Sequence, residues 1–294
     1  MTTRDFLISA VALLAAIPAI SQNYARTSSK DEAQSCADMN TDYGGRPTAR
    51  AEQSLNFPAS EAAKLTFNEN HNSGIQVTGW EKNEYSVLAC KSATGNTEAE
   101  AKAMLGDVQV SRNGGALSVT GPEKDGDHHW NVILLVKAPR SAGLDLSVHN
   151  GPMSVIDMAG GGALRADNGP ISLKDSSGEF TVDTHNGPIS YSGRGGKVKL
   201  NAHNGPIEVD VAGNEWTGEL SGEAINGPIE LLLPAKFSSG VEVENNNAPM
   251  SCNADICHEN VRMDGHRMTL GGSNTVIHLS TQHGPVTVQN RKKL

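Results

Sequence analysis

The stretch His185-Asn186-Gly187-Pro188-Ile189-Ser190-Tyr191 decides how this chain is read, because it returns 18 residues later as His203-Asn204-Gly205-Pro206-Ile207-Glu208-Val209. The same triplet stands at Asn150, Gly151 and Pro152 and at Asn168, Gly169 and Pro170, so four copies are separated by steps of 18, 18 and 18. Asn226, Gly227 and Pro228 follow after 22 residues, Asn247-Ala248-Pro249 after 21 more, and His283-Gly284-Pro285 after a further 36, which is two periods. Self-similarity at a fixed short period is the mark of a repeat architecture.

Inside the period the apolar positions recur at half the interval. Ile171, Phe180, Ile189, Val198 and Ile207 lie nine apart, as do Val155, Leu164, Leu173, Val182, Tyr191, Leu200 and Val209. The second series runs two residues behind the first, which is the alternation of a strand with one buried face. Each unit is therefore two short strands and two turns. Such a unit cannot bury its apolar face alone, so units stack, each pairing in parallel with the next at about 4.8 Å. The expected fold is all-β, a parallel β-solenoid with 18-residue coils and two short strands per coil. A three-sided coil with a six-residue period is excluded, since Ser177 and Asp183 stand six and twelve after Ile171. A calcium-filled β-roll shares the nine-residue half-repeat, but its Gly-Gly-x-Gly-x-Asp signature is missing. At the corner, Gly is expected to supply a positive φ, and Pro to stand just before each strand where no ladder N–H is needed. The Asn column beside them is expected to form a side-chain amide ladder.

The flanks set the compartment. Arg4 precedes an apolar run over residues 6–20, and Ala19 and Ser21 supply small residues for cleavage, so residues 1–21 read as a secretory signal peptide. No second apolar stretch reaches spanning length, so no transmembrane span is expected in the mature chain. The protein is expected to be exported: periplasmic, at the cell surface or secreted. Residues 22–64 read as a polar leader or cap, 65–290 as the solenoid and 291–294 as a basic tail. Strands are expected over residues 74–80 and 84–89, and a short helix after the capping-box spacing at Thr97. Cys36, Cys90, Cys252 and Cys257 allow three full pairings. Cys252 with Cys257 suits a local staple and leaves Cys36 to Cys90, a disulfide framework that export permits.

Composition narrows the function. Lys+Arg 24 against Asp+Glu 33 gives a net charge of −9, which excludes a basic nucleic-acid-binding domain. Only 3 Trp and 4 Tyr occur, which argues against a sugar-stacking groove. No Walker loop, His-Glu-x-x-His or Gly-x-Ser-x-Gly context is present, and no cofactor is expected. The residues preceding each Asn form a column, His149, Asp167, His185 and His203. Stacking puts Asp167, His185 and His203 about 5 Å apart, within reach of one metal ion. The simpler reading is a row of turn residues hydrogen-bonding along an exposed edge, since a flat column offers ligands from one side only. Glu208 and Glu230 occupy matching outward positions, held by Ser154, Ser172 and Ser190 elsewhere, and are candidates for a paired-carboxylate glycan-cleaving site. No Arg or Lys cluster joins them.

His149-Asn150-Gly151-Pro152-Met153-Ser154-Val155 and its copies, with the earlier Gly79-Trp80, resemble the putative adhesin family of bacterial exported proteins, a domain of unknown function, over roughly residues 65–290. The resemblance implies an all-β solenoid and an envelope location, and carries over no catalytic residue. The resulting expectation is an exported, non-enzymatic β-solenoid acting as an adhesin or surface-binding module, its partner an envelope or extracellular protein or glycan. The alternatives are a polysaccharide-active enzyme on a β-helix scaffold and a metal-binding envelope protein. Apolar strand rows at the ends of a stack need covering, and residues 22–64 are expected to cap one end.

Overall fold

In the computed structural model, which describes residues 26–29, 32–123, 128–258 and 261–291, Ile171 pairs with Ile189 and Ile189 with Ile207 on successive parallel strands. Residues 18 apart are thus vertical neighbours, and the fold is the expected two-sided solenoid. One face is built from Gly143–Asn150, Gly162–Asn168, Glu179–Asn186, Gly195–Asn204 and Thr217–Asn226; the other from Met153–Ile156, Ile171–Lys174, Ile189–Gly193, Ile207–Val211 and Ile229–Leu233. The nine-residue step is half a coil: Phe180 and Val198 point inward from the first face, Ile171, Ile189 and Ile207 from the second. Leu164, Val182 and Leu200 meet Leu173, Tyr191 and Val209 in the core, all 0% exposed. Each such side chain contributes about 1.5–3 kcal/mol by leaving water, and the stack repeats that gain coil after coil.

At the corner the glycine is demanded chiefly by space. Gly187, Gly205 and Gly227 do not have a positive φ, against the sequence expectation. A Cβ at Gly187 would lie 2.1 Å from the carbonyl oxygen of Gly169, and one at Gly205 2.0 Å from that of Gly187. Gly151, Gly169 and Gly284, with φ of 154°, 149° and 159°, combine crowding with a conformation that disfavours other residues. The proline carbonyls join the ladder where the missing N–H is not needed: Pro188 accepts from Ile171 N–H and Pro206 from Ile189 N–H, at 3.0 and 2.9 Å.

The first coil is a single strand, Lys64–Trp80, which pairs with Gly143–Asn150 on one face and, past an irregularity between Glu69 and Asn72, with Met153–Ile156 on the other. Beyond it the pattern changes. His129–Pro139 runs parallel to Lys64–Trp80 and antiparallel to Glu84–Thr94, which is antiparallel to Thr48–Pro58. The helix Glu98–Asp107 starts at Thr97, whose hydroxyl accepts from Glu100 N–H at 3.2 Å, and it buries Ala101 and Leu105.

The segment 22–64 therefore does more than the sequence suggests. Thr48–Pro58 is an edge strand of the second face. Upstream of it, Ala33 sits in a small separate core with Cys90, Ile133 and Leu135, tied by the Cys36–Cys90 disulfide. Ala33 N–H donates to Gln76 Oε1 at 3.0 Å, and Gln76 Nε2 donates back to Ala33 O at 2.8 Å. This part of the leader shields the outside of a face, where Ile133 and Leu135 occupy outward positions. Residues 1–21, read from the sequence as a signal peptide, and all of the tail but Arg291 lie outside the described residues.

At the other end the stacking order departs from chain order. The sequence implies that each unit pairs with the next, yet Thr217–Asn226 pairs with Thr275–His283, and Ile229–Leu233 with Val286–Asn290. The intervening unit, Gly240–Asn245 and Met250–Cys252, stacks on the far side of this last coil. Packing gives the reason. In the inward row Leu146, Leu164, Val182 and Leu200, the next residue is Gly222, and Leu279 of the inserted coil places Cδ2 2.8 Å from where a Gly222 Cβ would be. Leu279 fills a hole for which Val243, the alternative neighbour, is a carbon too short. Polar contacts hold the insert from both sides: Thr281 Oγ1 donates to Gly227 O at 2.9 Å, and Asn245 Nδ2 to Gly284 O at 2.7 Å. Arg291, read as the start of a free tail, is docked, its N–H on Leu233 O and its Nη2 on Asp210 Oδ2, both at 2.9 Å. The Cys252–Cys257 disulfide closes the turn after Met250–Cys252.

Candidate binding edge

Stacking turns the repeated triplet into a continuous edge. Asn150 Nδ2 donates to Asn72 Oδ1 at 3.1 Å, Asn168 to Asn150 and Asn186 to Asn168 at 2.9 Å, and Asn204 to Asn186 and Asn226 to Asn204 at 3.0 Å. Six amides in a row make a ladder about 24 Å long at the strand spacing. Each amide carries two N–H donors and an oxygen with two lone pairs, so an interior rung uses half its capacity on its neighbours. The other half faces outward, since Asn168, Asn186, Asn204 and Asn226 are exposed. A row of alternating donors and acceptors at fixed spacing can pair with hydroxyl or peptide groups repeating along an extended ligand.

Beside the ladder, on the second face, Pro188, Pro206 and Pro228 with Ser190, Glu208, Glu230 and Thr287 line a shallow groove of 280 Å³. Glu208 and Glu230 are in-register neighbours, and Gln289 Nε2 donates to Glu230 Oε1. The candidate metal ligands are divided differently. His149 Nδ1 and Asp167 Oδ2 are 2.7 Å apart, while His185 and His203 stack on each other with ring centroids at 4.6 Å. Asp167, His185 and His203 thus do not converge, and among the described residues no group of three or more His, Cys, Asp or Glu is placed to hold a metal ion.

A second concavity was not legible in the sequence. On the first face Lys199, Ser221, His278 and Glu242 form one outward row and Asn201, Glu223, Ser280 and Glu244 the next, lining a cleft of 210 Å³ at the small Ser221. Arg267 binds one of its lining carboxylates, with Nε donating to Glu244 Oε1 at 2.8 Å, and this bond raises the Arg267 pKa above its ordinary value. Ser221 and His278 are 57 residues apart and are neighbours only because the last coil is inserted between Thr217–Asn226 and Gly240–Asn245, so no local signal marks the cleft. Elsewhere on this face opposite charges pair diagonally between neighbouring coils. Asp145 lies 2.9 Å from Lys64 Nζ and 3.2 Å from Arg165 Nη1; the Lys64 hydrogen bond leads in holding its pKa below the usual carboxylate value.

The Toastrack DUF4097 family matches residues 48–289. The chain belongs to that family. For this Toastrack chain the likeness drawn from the repeats therefore holds at family level, and the match takes in Thr48–Pro58, which the sequence placed in the leader. Similar solved structures, each 10% identical, are a "putative adhesin" from Bacteroides fragilis (TM-score 0.39, covering 84% of this chain and 100% of that one), a "putative cell adhesion protein" from Clostridium sporogenes (0.31, 83% and 100%) and a "putative lipid binding protein" from Parabacteroides distasonis (0.28, 85% and 98%). None of the curated proteins matches it. Among the described residues no helix is long and apolar enough to cross a membrane.

Proposed function

We propose that this Toastrack chain is an exported, non-enzymatic binding module of the cell envelope that holds an extended partner, a glycan or protein strand, along its Asn-Gly-Pro edge. The observation that carries the reading is the asparagine ladder. Its outward amide groups are held at one spacing by the coils beneath, so ordering them on binding costs little further entropy. The proline groove alongside adds apolar contact, and Glu208 and Glu230 give it acidic character. Export rests on the signal-peptide reading of residues 1–21 and fits the two disulfides.

The test is a binding panel of envelope polysaccharides and extended peptides against the full chain, read by a label-free sensor and by product analysis. Retention without cleavage is expected, and replacing Ser190 on the groove floor with Trp should abolish it while the melting temperature stays put. Cleavage of any polymer that Glu208→Gln or Glu230→Gln abolishes would overturn the non-enzymatic reading.

A further inference from the structure

The far end of the stack carries a feature that the binding edge does not use. Val261–Asp264 and Arg267–Leu270 form a hairpin that extends the first face beyond the last coil, with Arg267–Leu270 antiparallel to Gly240–Asn245. Among the described residues no strand pairs with the outer edge of Val261–Asp264. The register sets its side chains in order. Val261 continues the inward row Val241 and Leu270, and Met263 continues Val243 and Met268, yet Val261 is 44% and Met263 56% exposed while the residues behind them are buried. Arg262 and Asp264 point to the other side, where Asp264 lies opposite Arg267, which is opposite Glu244. An open strand edge with an uncovered apolar row is a template for another strand.

We propose that this edge pairs antiparallel with the same edge of a second copy of the chain, about a two-fold axis at Met263. The charges select both partner and register. With Met263 opposite Met263 of the second copy, Arg262 faces Asp264 twice, and the order Glu244, Arg267, Asp264 continues across the junction with an arginine. Moving the axis to Arg262 or to Asp264 sets like charges face to face, and an axis between residues on either side of Met263 sets Met263 against Arg262 or against Asp264. Only the Met263 axis keeps apolar with apolar and cation with anion, and opposed like charges across strands are destabilising. The interface is isologous and closes at two copies, so the end of the solenoid is capped without fibre growth.

The test is sedimentation velocity of the full chain over a concentration series, with Arg262→Asp, Asp264→Arg, their combination, and an equimolar mixture of the two single variants. The wild type is expected to dimerise. Each single variant turns two attractive pairs into two repulsive ones and should weaken dimerisation by about tenfold or more. The combined variant should recover the dimer, and the two single variants should form a mixed dimer with each other. A wild type that stays monomeric up to its solubility limit, or a dimer indifferent to the single changes, would overturn the proposal.

Discussion

Replacing Gly187 by alanine tests the geometry on which the stack rests. The added Cβ would stand 2.1 Å from Gly169 O and 2.7 Å from Gly169 C. Carbon and carbonyl oxygen settle near 3.3 Å, so the two coils must part by roughly 1 Å at this corner. Three hydrogen bonds span the junction: Gly169 N–H to Asn186 O and Ile171 N–H to Pro188 O, both at 3.0 Å, and Asn186 Nδ2 to Asn168 Oδ1 at 2.9 Å. Stretched by that amount they fall outside bonding range, a loss of about 3 kcal/mol at about 1 kcal/mol each. Alanine returns about 0.4–1 kcal/mol through the unfolded chain, leaving a net destabilisation of about 2–3 kcal/mol. For a domain of this size that lowers Tm by roughly 5–10 °C. Gly106→Ala is the control, because that site has no atom within 4 Å and lies in the helix, where alanine is neutral to about 1 kcal/mol better. Thermal unfolding by circular dichroism measures both. Since stacked coils can open locally, amide exchange at Gly169 and Ile171 supplies a second readout, expected to quicken only in Gly187→Ala. If the two variants melt together and exchange alike, crowding is not what reserves this position for glycine.

The disulfides should differ in worth, because Cys36–Cys90 spans 54 residues and Cys252–Cys257 spans 5. Loop-closure entropy assigns them about 4 and about 2 kcal/mol, so the double serine variant of the first pair should lower the urea midpoint about twice as far, and equal losses would contradict the account. Asp145 should add stability that depends on acid. Its folded pKa lies below the unfolded value, so the contribution is complete above the ordinary carboxylate range and drains away as pH falls through the folded value. Urea midpoints measured from neutral pH down to about pH 2 should therefore fall less steeply for Asp145→Asn than for wild type, and parallel curves would remove Asp145 from the explanation.

The regular coils were legible because every cue for them is local or recurs at one step. Alternation in Ile171-Ser172-Leu173 sets a strand with one buried side, and recurrence at 18 sets what lies above it. The corner was half legible: the asparagine column followed from stacking, while the need for glycine at Gly187 depends on a carbonyl oxygen that arrives from the coil below. The metal column failed to converge for a similar reason. Spacing brings Asp167, His185 and His203 to one edge, but side-chain pairing decides that Asp167 turns to His149 while His185 lies flat on His203. The cleft at Ser221 depends on an order of coils that the repeat does not announce, and the small core around Ala33 joins residues far apart in the chain that no periodicity connects.

By itself the sequence determined the coil length, the inward faces and the chemistry of the corner, since these follow from side-chain alternation and repetition. Only the tertiary structure decided which coil follows which at the far end. Apolar rungs of equal length are nearly interchangeable, and register says where residues stack without saying which coil comes next. There the choice falls to particular shapes: the space above Gly222 that Leu279 fills, the hydroxyl of Thr281 that reaches Gly227, and the hairpin that is left outside when the chain turns back to insert its last coil.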